Sequence, residues 1–299
     1  MPKKQKKIEI GQFARAAEKL ADTVRFVVDI AIGPDRRLTH AQTSAKIKLL
    51  EAEADAGAQD IAQRALIRLR NQEMRRQENI ESIIEEAKVA LLSTESVSDT
   101  PVSQDFVNQF FEASQDVSDK EIQTLWAKIL AGEVSCPGSY AKRTLQVLRT
   151  MDKEEAIKFS EFCRFSFVTK EGWHYVGADS QTTKEITELL GNAAWINHFT
   201  SIGLLLPEAY LPTASSLTDF EFNYFDAKYL LKGPSKPEAR SGLPVLELFF
   251  GMRAFSQVGQ QLANVAGALP VNGYPERLSE SLTKEIRVSL VLQSPKLNK

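Results

Sequence analysis

Apolar residues between positions 11 and 32 recur every three or four places: Phe13, Ala17, Leu20, Val24, Val27 or Val28, and Ala31. That spacing predicts an amphipathic helix, which Gly33-Pro34 would end because proline cannot continue the hydrogen-bond ladder. From about Thr39 to Leu92 there is no proline and one glycine, Gly57. Ile47, Leu50, Ala54, Ala58, Ile61 and Ala65 keep near-heptad spacing, and Ile80, Ile84, Ala87 and Leu91 resume it after the polar stretch NQEMRRQEN. The pattern predicts a coiled-coil-like arm, or two helices broken near residues 71–79. Its seam is rich in alanine and would be weak alone, so self-association is the natural expectation.

The polar run 93–103 with Pro101 reads as a linker. Beyond it, Phe106, Val107, Phe110 and Phe111 form a broad apolar face. Ser118-Asp-Lys-Glu121 has the form of a capping box, opening a helix through Ile122, Leu125, Trp126, Ile129 and Leu130 to Gly132, a glycine suited to a left-handed stop. Leu145, Leu148 and Met151 continue a helical face, and Asp152 to Glu155 can cap another helix carrying Ala156, Phe159, Phe162 and Cys163. After residue 165 the period changes. FSFVTKEGWHYVG alternates like strands around a turn, and TTKEITELLGNAAWINHFTSIGLLLPE reads as helix, turn, helix and exit strand, a winged-helix-like order. FEFNYFDAKYLLKG and LPVLELFFGMRAFS read as strands, QVGQQLANVAG and YPERLSESLTKEI as helices, and RVSLVLQ as a closing strand. The expected fold is mainly α with an α+β C-terminal part. A long helical arm (1–94) precedes a central helical hairpin domain (101–165) and an α+β C-terminal module (166–299).

Composition narrows the chemistry. The 299 residues are 43% hydrophobic and 25% charged with net charge −2, which gives no global pull towards nucleic acid. Cys136 and Cys163 are not spaced for a metal or a redox pair, and His40, His174 and His198 lie far apart, so no metal or cofactor is expected. The basic start MPKKQKKIEIGQ lacks a signal peptide's apolar core, and no apolar run approaches the ~20 residues that span a bilayer. The expected location is cytoplasmic, with contact to a membrane surface as an alternative. No phosphate-binding loop, dinucleotide fingerprint or nucleophile elbow is present, so no catalytic residue and no enzyme activity are expected. The acidic runs around Glu51 and Glu81 read as solvated helix faces. GNAAWINHFTSIG contains no Lys or Arg, which disfavours a DNA-reading helix there; the early lysines Lys3, Lys4, Lys6 and Lys7 leave only weak nucleic-acid binding as a further alternative.

The turn between the helices at 125–148 concentrates the candidate contact residues Trp126, Glu133, Ser139, Tyr140, Lys142 and Arg143. Three readings stay open. It is a structural corner with Ser139 as N-cap and Glu133 paired to Arg143, an anion site using Lys142 and Arg143, or a protein-contact surface presenting Trp126, Tyr140 and Arg143.

QDVSDKEIQTLWAKILAGEVSCPGSYAKRTLQVLRTMDKEEA resembles the signature block of a bacterial family catalogued as "domain of unknown function 2806". KLLEAEADA and RRQENIESI resemble that family's alanine- and glutamate-rich arm, so the similarity covers about residues 30–165. The resemblance implies fold and kinship and no assigned activity; it suggests an accessory bacterial gene, with antiviral (phage) defence as the expected setting. Together these readings predict a scaffold or sensor protein whose partners are further copies of itself and another protein. A peripheral membrane protein acting through its N-terminal helix is the alternative.

Overall fold

A computed structural model describes residues 14–25, 56–92, 94, 96–177, 179–207, 220–232, 253–286 and 289–293. Residues 26–55, and with them Ile47, Leu50, Ala54 and His40, lie outside the described residues, as do the early lysines and the stretch LPVLELFFG. The chain divides into two compact units, Met1–Thr150 and Met151–Lys299. The arm and the signature helices up to residue 150 therefore share one unit, and the division falls at neither the 93–103 linker nor residue 165.

The first unit is helical: α1 (14–25), α2 (Ala56–Leu91), α3 (Gln104–Ser114), α4 (Lys120–Ser135) and α5 (Lys142–Thr150). α1 buries Ala16, Leu20 and Val24, and Lys19 Nζ donates to the Ser98 carbonyl at 2.7 Å. α2 is unbroken through 71–79, so of the two arm readings the single helix holds over its described length. The strongest packing joins α2 to α4, where Ile80, Ile83, Ile84, Ala87 and Leu91 meet a core that includes Trp126, Ile129, Leu130 and Val134. Phe110 stands edge-on to Trp126, centroids 5.1 Å apart. Buried amides align the helices: Gln123 Nε2 donates to Asn79 Oδ1 (3.1 Å) and to the Val117 carbonyl (2.7 Å), while Asn79 Nδ2 donates to the Gln115 carbonyl (2.9 Å).

The cap of α4 differs from the expected box. Asp119, in extended conformation, is the N-cap and accepts from Glu121 N (2.9 Å) and Ile122 N (3.2 Å). Both Ser118 and Asp119 are good caps by type. Ser118 Oγ instead accepts from Asn79 Nδ2 at 3.4 Å, a tertiary contact that leaves the helix start to its neighbour.

The second unit is α+β: α6 (Lys153–Cys163), β1 (Ser166–Thr169), β2 (His174–Val176), α7 (Ser180–Leu190), α8 (Ala194–Ser201), β3 (Phe220–Tyr224), β4 (Ala227–Lys232), β5 (Arg253–Ala254), α9 (Gln257–Ala263), α10 (Tyr274–Ile286) and β6 (Ser289–Gln293). The strands form one antiparallel sheet in the order β5-β2-β1-β3-β4-β6. Asp152 and Glu155 make the expected reciprocal capping box at the start of α6. The helix–turn–helix order of α7 and α8 is present; the segment that follows makes a single bridge, Leu205 to Phe255. Phe167 gathers Phe222, Tyr224, Tyr229 and Tyr274 around it, and Phe159, Phe162, Phe199 and Phe255 form a second aromatic cluster. No described helix is long and apolar enough to cross a membrane.

Candidate functional site

The corner between α4 and α5 is built around an acid. Glu133 is 2% exposed, and its carboxylate accepts from two backbone N–H groups of the turn, Gly138 at 2.6 Å and Tyr140 at 3.2 Å. Those bonds replace the expected pairing to Arg143, which is exposed at the start of α5. Turn amides sit closer along the chain than a side chain on the next helix, and the buried Glu133 carboxylate needs donors. α4 also runs through Gly132 to Ser135, so Gly132 is not the stop. A Cβ at Gly132 would lie 2.7 Å from Tyr140 Oη and 2.8 Å from its Cε2: the glycine makes room for the tyrosine ring. The left-handed residue is Gly138, at φ +87°. Ser139 lies two residues before the N-cap position of α5, and its hydroxyl donates to the Cys136 carbonyl at 2.6 Å. Lys142 pairs with Asp105 of α3. Burial, with Glu133 adding, pushes the Tyr140 phenol up to about 12. Trp126 is fully buried, so it is core and not a presented contact. In this geometry Glu133 holds the turn, Lys142 ties α5 to α3, and Arg143 is left exposed.

The rest of the unit carries two more features. A cavity of about 340 Å³ separates α1 from residues 98–107; in it Arg15 pairs with Asp99 and Lys19 donates to the Ser98 carbonyl, and Glu18 and Asp22 also line it. The other feature is an open face. Ala62 and Ile80, Ala65 and Ile83, Leu66 and Ile84, and Leu69 and Ala87 each stand 18 residues apart, about five helical turns, so they share one side of α2. The later set is core. On the earlier half, Ile61 is 62% exposed and Leu69 44%.

The second unit holds a cavity of about 290 Å³ lined by Cys163, Ser166, Val168, His174, Phe225, Ala263, Asn264, Gly267 and Ala268. Three polar side chains form a row along it. Ser166 Oγ lies 3.0 Å from His174 Nδ1, and His174 Nε2 lies 3.1 Å from Asn264 Oδ1. Burial pulls the imidazole below its usual value, with the Asn264 hydrogen bond opposing. Burial likewise pushes the Cys163 thiol well above its usual value, so both groups are neutral at pH 7. This row was not among the residues singled out from sequence. Half of it was legible: β1 and β2 pair with Val168 opposite His174, and the two-residue period puts Ser166 on that same face. Asn264 was not, since 90 residues separate it from His174. Among the described residues, no group of three or more His, Cys, Asp and Glu is placed to hold a metal ion.

Helical signature unit and antiparallel α+β unit together define a two-part protein with an exposed apolar helical face in the first and a small cavity in the second. The family described as Protein of unknown function (DUF2806) matches residues 63–279, and the chain belongs to it. No curated protein and no solved structure matches the chain.

Proposed function

We propose that this chain is an assembly and sensing protein that self-associates through the first half of α2. One observation supports it above the others: the face that is core from Ile80 to Ala87 continues, five turns earlier, as Ala62, Ala65, Leu66 and Leu69, of which Ala65 and Leu69 are exposed, with the exposed Ile61 at its edge. An apolar helical stripe left in water favours a partner helix, and small alanines in it permit close approach. A second copy of the chain carries the same stripe, so an isologous helix pair buries both at once. The α+β unit supplies the recognising half, with the winged-helix-like α7–α8 pair as a protein-contact element.

Light scattering across a concentration series tests the assembly. The full chain is expected to gain mass with concentration, and Ile61→Glu with Leu69→Glu to remain monomeric while keeping its helix content. A wild-type chain that stays monomeric at high concentration would refute the reading. The proposed setting is phage defence, read by plating phages on cells that carry the gene against an empty control; full plating over a broad panel would count against it.

A further inference from the structure

We propose that the cavity along Ser166, His174 and Asn264 binds a small uncharged bicyclic heteroaromatic compound of purine size, polar at both ends. The inference rests on the sensing half of the proposed function and gives it a ligand class.

Charge comes first. Among the described residues no Asp, Glu, Lys or Arg lines the cavity, and burial keeps His174 and Cys163 neutral. A charged ligand would lose its hydration without meeting a counter-charge, so an uncharged one is favoured. The polar row then sets the pattern of hydrogen bonds. With the proton on Nε2, Asn264 Oδ1 accepts from the ring and Ser166 donates to Nδ1. That leaves Ser166 Oγ with acceptor lone pairs and the Asn264 amide with donors. With the proton on Nδ1 and the amide turned over, Ser166 offers the donor and Asn264 the acceptor. Either tautomer therefore presents one donor and one acceptor at opposite ends of the row. Those ends are at most about 8 Å apart, the sum of two hydrogen bonds and the span of the imidazole. A bicyclic ring with polar atoms on opposite edges can meet both ends of such a row. Size agrees, because about 290 Å³ sits at the small end of ligand sites.

Phe225 supplies an independent observation. It is the one non-glycine residue with positive φ among the described residues, at +50°, in the two-residue turn between β3 and β4. Such turns favour Gly, Asn or Asp, and a phenylalanine there is strained. Its ring lines the cavity and is 37% exposed, edge-on to Tyr224. Backbone strain that places an aromatic face at a cavity is the kind retained at binding sites, and that face suits a planar ligand.

The test is calorimetric titration of the full chain with adenine and hypoxanthine as neutral probes, and 1-naphthoate as an anionic bicycle of similar size. Saturable binding of a purine below about 1 mM is expected, with 1-naphthoate weaker by tenfold or more. Asn264→Ala, a change at an exposed residue, should weaken purine binding by about tenfold, and Ser166→Ala by a similar factor. If Ser166→Ala fails to fold, Asn264→Ala alone decides. No saturable purine binding, unchanged affinity in Asn264→Ala, or equal binding of 1-naphthoate would each overturn the proposal. Repeating the titration on Ile61→Glu with Leu69→Glu separates the two ideas, since a chain that cannot associate should still bind.

Discussion

Glu133 and Arg143 stand ten residues apart, and opposite charge alone invites their pairing. The turn amides take the carboxylate instead, because Glu133 is buried and the amides lie closer along the chain, whereas Arg143 stays solvated. Glu133→Ala should therefore cost about 1–3 kcal/mol in denaturant unfolding. Arg143→Ala, at an exposed position, should change it by no more than about 0.5 kcal/mol. Gly132→Ala drives a methyl into the Tyr140 ring and should cost about 1–3 kcal/mol. His174 brings a pH dependence. Its folded pKa lies below the unfolded value of about 6.5, so the unfolded chain takes up the proton first. The associated stability is fully present above about pH 6.5, the unfolded value, and is lost as pH falls from there through the lower folded value. Thermal melts from pH 8 to 5 should fall more steeply for wild type than for His174→Gln; parallel slopes would contradict this.

At the scale of elements, periodicity found the helices and most of the strands, because each buries one face and its spacing records that face. The capping box at Asp152 was also readable, since Asp and Glu three residues apart satisfy each other locally. Asp152→Ala should cost about 1 kcal/mol. The start of α4 was misplaced by one residue because the serine's partner, Asn79, belongs to another helix. α2 shows the same division within one element. Its heptad-like stripe runs on both sides of the polar stretch 71–79, yet among the described residues only the second half is buried, against α4. Hydrogen exchange should accordingly be slow over residues 79–91 and faster over 60–76 in dilute solution. Protection of 60–76 should rise with concentration if that half finds a second copy.

For the whole molecule, 37 Lys and Arg against 39 Asp and Glu leave little net charge to drive or oppose association. Assembly through an apolar stripe should therefore persist or strengthen between 0.1 and 1 M salt, at about the range where charge-driven contacts are screened. Sedimentation in both salts reads the difference, and dissociation at high salt would point to paired charges instead. Sequence by itself determined the kinds of element, the change from helix-rich to mixed texture near residue 165, and the family, because these rest on local periodicity and on a contiguous motif. Tertiary structure decided the rest. It chose which half of α2 is core, gave Glu133 to the turn and brought Asn264 to His174. Burial and hydrogen-bond satisfaction depend on residues far apart in the chain, and no local spacing encodes which of them will meet.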